Sequence, residues 1–74
     1  MRIKFTRHAK RRMKWRRISK EEIESVIKQP DKSEKLSYNR RINAYKRIKK
    51  RLLRVSYITK GNQVLIITVI DKSK

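Results

Sequence analysis

No cysteine, a single proline and a single glycine occur in this 74-residue chain. Without cysteine there is no disulfide framework and no thiolate metal site, as suits a reducing compartment. Acidic residues are nearly as scarce, with six Asp and Glu against 24 Lys and Arg, for a net charge of +18. Nuclease metal centres gather carboxylates or histidines as hard ligands. Here Glu21, Glu22 and Glu24 crowd the first turns of one helix, where they complement its dipole. Asp31, Glu34 and Asp71 are scattered, and His8 is the lone histidine. Neither a metal nor any other cofactor is expected. No serine occupies a turn of the nucleophile-elbow type, so a Ser–His–Asp arrangement is unsupported. Long apolar runs are missing too. No window of about 18 residues suits a membrane span, and the start lacks the apolar segment of a signal peptide. A cytoplasmic protein with no membrane partner is the expectation.

What the chain has is positive charge. A field of this density repels itself unless a polyanion or an acidic protein lies against it, and nucleic acid is the default partner. With 36% hydrophobic residues, the core of one small domain is all that can be built. Arg2 to Phe5 alternates basic and apolar residues, the period of a short strand. Thr6 can cap a helix in which Ala9 and Met13, four apart, face the core, while His8 and Arg12 share a neighbouring side. Ser19 and Glu22 form a capping box for a second helix, with Ile18 and Ile23 as its hydrophobic staple. Ile23, Val26 and Ile27 make the buried stripe, and Pro30 ends the helix.

From there the period is two: around Leu36 to Tyr38, then Ile42 to Ile48, Leu52 to Thr59 and Gln63 to Ile70. Lys60, Gly61 and Asn62 read as a hairpin turn. The fold class expected is α+β: an N-terminal strand, two helices, then an antiparallel sheet of three to four strands, with the helices on one face. The run VLIITVI from Val64 to Ile70 is apolar on both faces apart from Thr68, so it should be an interior strand. Its second face needs a cover, supplied either by the curvature of neighbouring strands or by a protein partner.

RNA carries its own nucleophile in the 2′-hydroxyl, so a ribonuclease needs only a base, an acid and positive groups around the phosphate. His8, Arg12, Lys46 and Tyr57 are residue types that suit those tasks, and histidine serves as acid or base near neutral pH. The competing reading of His8 is an exposed helix histidine in an ordinary hydrogen bond. Trp15 is expected to cover the core edge rather than stack on a base. The run KRIKKR from Lys46 to Arg51 is expected to be a solvated turn that adds phosphate affinity.

Taken together, HA-x-x-RM (His8 to Met13), RIS (Arg17 to Ser19), EEI-x-x-VI-x-x-P (Glu21 to Pro30), A-x-K at Ala44 to Lys46, L-x-V-x-Y at Leu53 to Tyr57 and IITVI at Ile66 to Ile70 resemble an uncharacterised family of small RelE-like proteins. The resemblance covers nearly the whole chain and implies a single RelE-like domain over 1–74, in a fold group that holds metal-independent RNases and toxins of toxin–antitoxin pairs. It places the family's polar positions on His8, Arg12, Arg17, Lys46 and Thr68. Many members have a glycine where Arg17 and Ile18 stand side by side here.

The function it implies is that of a toxin-like, metal-independent endoribonuclease acting on mRNA, with the ribosome as a platform and an acidic antitoxin as protein partner. His8 would be the acid or base, Arg12 and Arg17 would clamp phosphate and Lys46 would be the transition-state cation. Arg17, Arg40, Arg41, Arg47, Arg54, Tyr57 and Thr68 would contact the RNA. The alternative is a non-catalytic basic nucleic-acid-binding domain. A third reading is a toxin directed at a protein. Catalysis requires His8 and Lys46 to face one site, whereas binding requires only a broad basic face.

Overall fold

A computed structural model describes residues 2–73. The elements run β1 (Arg2–Phe5), α1 (Arg7–Arg16), α2 (Lys20–Lys28), β2 (Lys32–Leu36), β3 (Arg41–Ile48), β4 (Arg51–Lys60) and β5 (Gln63–Asp71). Thr6 is extended and its side chain accepts the Ala9 N–H, which starts α1. At the other end Arg17 takes the left-handed conformation with φ 53°. Its N–H donates to the Lys14 carbonyl and that of Ile18 to the Met13 carbonyl, the pairing of a Schellman motif. A glycine would adopt that conformation without a Cβ clash, whereas a side chain there costs about 1–2 kcal/mol. Ser19 then opens α2 with both bonds of the capping box present, and Ile18 and Ile23 are buried together.

The strands order as β1-β5-β4-β3-β2. From β2 to β5 they form the expected antiparallel meander, but β1 lies parallel to β5, so the sheet has five strands and is mixed. β5 is apolar on both faces and β1 gives it a second neighbour, making it an interior strand. β2 begins earlier than expected and ends at Leu36, leaving Tyr38 in the turn at 83% exposure. Period-two reading missed its start because KSEKL is an edge strand, wet on both faces, with no apolar alternation to betray it.

Both helices pack on one face of the sheet. Ala9, Met13, Ile23 and Val26 meet Ala44, Leu53, Val55, Tyr57, Ile66 and Val69 in a single core, with α1 over β5 and β1 and α2 over β3 and β4. Neither helix is long and apolar enough to cross a membrane.

One irregularity sets the phase of β5. Tyr57 pairs with Ile66 while Ser56 pairs with Thr68, so Ile67 is an extra residue, a β-bulge. Thr6 holds it in place: its N–H donates to the Ile66 carbonyl and its hydroxyl to the Ile67 carbonyl. Strict alternation from Val64 and Ile66 would put Thr68 and Ile70 under the helices. The bulge instead turns Val69 and Asp71 inward, where they are buried, and presents Thr68 and Ile70 on the opposite, helix-free face.

Candidate functional site

The helix-free face is read directly from the register. β5 contributes Leu65, Thr68 and Ile70, β4 contributes Ile58, Ser56 and Arg54, and β3 contributes Arg41, Asn43, Tyr45 and Arg47. A polar row crosses it where Thr68 pairs with Ser56 and Ser56 with Asn43; the Ser56 hydroxyl donates to Asn43 Oδ1 at 2.6 Å. His8 extends this row from outside the sheet. It sits in the first turn of α1, just after the Thr6 cap beside the bulge, and its Nε2 shares a hydrogen bond of 3.1 Å with Thr68 Oγ1. The two residues are sixty positions apart in sequence.

The adjacent row holds Arg54 between Ile70 and Tyr45. The Nε of Arg54 is buried with no hydrogen-bond partner, an uncommon state for a cationic donor. The Tyr45 hydroxyl donates to Glu34 Oε1 at 2.8 Å. That carboxylate, and then burial, raises the Tyr45 pKa above its ordinary value, while the Arg54 guanidinium acts in the opposite direction. The Nζ atoms of Lys32 and Lys72 lie 5.9 and 5.5 Å from the Tyr45 ring centre, so the ring already has cations against it.

Of the residues singled out from the sequence, His8, Thr68 and Arg54 come together on this face, with Arg12 one turn beyond His8 on α1 and half-buried. Arg41 and Arg47 lie along β3 on the same side. Arg40 is in the β2–β3 turn at φ 59°, and Arg17 closes the C-terminal end of α1, beside a cleft of about 730 Å³ that it shares with Ser19, Glu22 and the Lys49–Lys50 turn.

Lys46 and Tyr57 do not join the site either. Lys46 is in phase with buried Ala44 and pairs with buried Leu53, so it is on the helix side, where its Nζ donates to the Gln29 carbonyl at the end of α2. Tyr57, in phase with Val55, is 9% exposed in the core, and burial raises its pKa; it has no face to offer a base. The requirement that His8 and Lys46 face one site is therefore not met. Both were chosen by residue type and motif, which carry no information about which side of a strand a residue occupies.

Trp15 also departs from expectation: it is 69% exposed. Two residues beyond Met13 on a helix is a turn of about 200° away from the core.

Arg51 was read as one more cation of a solvated turn. It is an organising residue instead, donating to the carbonyls of Arg16 at 2.6 Å and Arg17 at 3.1 Å and pairing with Glu22 at 3.7 Å and Asp71 at 3.8 Å. The signal that could have found it is Asp71, a lone carboxylate at the end of an apolar strand. Four of the other five carboxylates are also engaged: Glu22 in the capping box, Glu24 with Lys28, Asp31 with the Arg47 N–H and Glu34 with Tyr45. Among the described residues no group of three His, Asp or Glu is placed to hold a metal ion.

The model of a family described as a domain of unknown function, DUF4258, matches residues 5–71, and the chain belongs to that family. Neither a curated protein nor a solved structure matches it.

Proposed function

With membership of that family as the premise, we propose that the protein is a RelE-like, toxin-type endoribonuclease that engages mRNA in the cytoplasm through the helix-free face of its sheet and cleaves it without a metal. The observation that carries this reading is the His8–Thr68 hydrogen bond, which joins two positions that the resemblance marks separately, on a face also lined by Arg54. In the reaction, the 2′-hydroxyl of the RNA loses its proton and attacks the adjacent phosphorus. The bond to the 5′ oxygen breaks, that oxygen gains a proton, and a 2′,3′-cyclic phosphate remains. His8 performs one of these proton transfers through Nδ1, with Thr68 orienting the ring through its hydrogen bond to Nε2. Arg54 replaces Lys46 as the cation facing the charge that builds on phosphate. Arg12, Arg41 and Arg47 bind flanking phosphates. An acidic antitoxin is the protein partner such a charge would take, and the ribosome the platform.

A second reading, non-catalytic nucleic-acid binding, is favoured by the exposure of His8 and by the use of Lys46 to bind the end of α2. Single-turnover assays with purified protein separate the two. Cleavage is expected to persist in EDTA, to yield cyclic or 3′-phosphate ends, and to stop when the nucleotide at the cut carries a 2′-deoxy group. His8→Ala should slow cleavage by a factor on the order of 10²–10⁴ with RNA affinity retained. RNA binding without cleavage gives the protein to the binding reading, while a requirement for magnesium, or a His8→Ala rate equal to the parent's, overturns the metal-free mechanism at His8.

A further inference from the structure

The exposed indole of Trp15 is unused by the site above. It lies on a shallow groove lined by Arg7, Lys10, Arg11 and Lys14, on a helix with no acidic residue. Trp15 is also seven residues from His8. At 100° and 1.5 Å per residue that places it on the same side of α1, about 10 Å further along the axis. The cations beside it have no carboxylate partner among the ion pairs of the described residues.

We propose that α1 carries a base-stacking platform, on which Trp15 stacks against a base of single-stranded RNA whose phosphates lie along Arg7, Lys10, Arg11 and Lys14. The combination of an aromatic face and a cationic groove is what unpaired bases on a polyanionic backbone require. A strand leaving the sheet at His8 continues along α1 to reach it. An anionic membrane fits less well: the other apolar residues of α1, Ala9 and Met13, are buried in the core, so no apolar stripe is left to enter a bilayer. The proposal rests on RNA as the ligand and is independent of whether RNA is cut.

Trp15 is the only tryptophan in the chain, so its emission reports on this position alone. The 74-residue chain is titrated with a single-stranded oligouridylate, with heparin, and with phosphatidylserine-containing vesicles. Anisotropy of the labelled oligonucleotide gives affinity in parallel. The oligonucleotide is expected to quench the emission and heparin to leave it nearly unchanged. Trp15→Ala should weaken oligonucleotide binding by about 5- to 150-fold, and Trp15→Phe by less, with unchanged circular dichroism. Binding without a change in emission overturns the platform and leaves the proposed function standing; no binding at all overturns both. Equal quenching by heparin would reduce the effect to charge. A blue shift with vesicles and no response to RNA would assign the patch to a membrane surface.

Discussion

Replacing Arg51 should damage the fold more than replacing any other cation of the KRIKKR run. Its guanidinium ties the last carbonyls of α1, the capping box of α2 and the end of β5 into one junction. Each hydrogen bond from a charged group contributes about 1.5–3 kcal/mol when shielded from water, but the side chain is 28% exposed, which reduces that. Breaking a buried ion pair by removing one partner costs about 3–5 kcal/mol. Here the loss is moderated because Asp71 Oδ1 also accepts from the Ser73 N–H and hydroxyl. The contacts share one side chain and do not add, so Arg51→Ala should cost about 3 kcal/mol. For a domain of this size total stability is about 4–11 kcal/mol, and each kcal/mol is about 4–8 °C in Tm, so the melting point should fall by roughly 12–24 °C. Arg51→Lys keeps the charge but loses the fork that reaches two carbonyls, and should retain less than half of the stabilisation. Thermal melts followed by circular dichroism, with exposed Lys50→Ala as a charge-matched control shifting by less than about 4 °C, make the comparison. If Arg51→Ala and Lys50→Ala melt together, the junction contributes nothing and the run is a solvated turn after all.

Lys46→Ala should cost about 1 kcal/mol by releasing the Gln29 carbonyl at the end of α2. It should leave the cleavage rate of bound RNA unchanged; a loss of rate comparable to that of His8→Ala would return Lys46 to the site. Because burial raises the Tyr57 pKa, the folded protein favours the neutral phenol. Its contribution is fully present below about pH 10, the unfolded value, and is lost as pH rises through the folded pKa. Urea unfolding between pH 9 and 11.5 should therefore show a decline that is shallower in Tyr57→Phe, and identical slopes would refute the assignment.

Much of the architecture follows from local chemistry. The Thr6 cap, the capping box at Ser19 and Glu22, the Ile18–Ile23 staple and the stop before Pro30 are short-range effects, and each appears where the residues put it. Gly61, at φ 61°, makes the last turn. The basic character of the surface is a matter of counting. β2 was harder to delimit because an edge strand has no buried side to impose a period. The parallel docking of β1 depends on an edge of β5 that exists only once the sheet has formed.

The candidate site depends on parity, which a strand motif does not carry. His8 and Thr68 could be named from their chemistry and their positions in a recognisable pattern, but nothing local dictates that they meet. That is decided by one extra residue at Ile67, held by Thr6 through contacts spanning some sixty residues of chain. Without the bulge, alternation would bury Thr68 beneath the helices; with it, Thr68 faces His8 and Val69 fills the core. The same parity carries Lys46 and Tyr57 away from the site and brings Arg54 into it. Composition and local pattern determined a basic α+β chain with its caps, turns and core residues, while the tertiary structure decided which polar side chains share a face, because a one-residue change of phase moves every later side chain of a strand to the other side of the sheet.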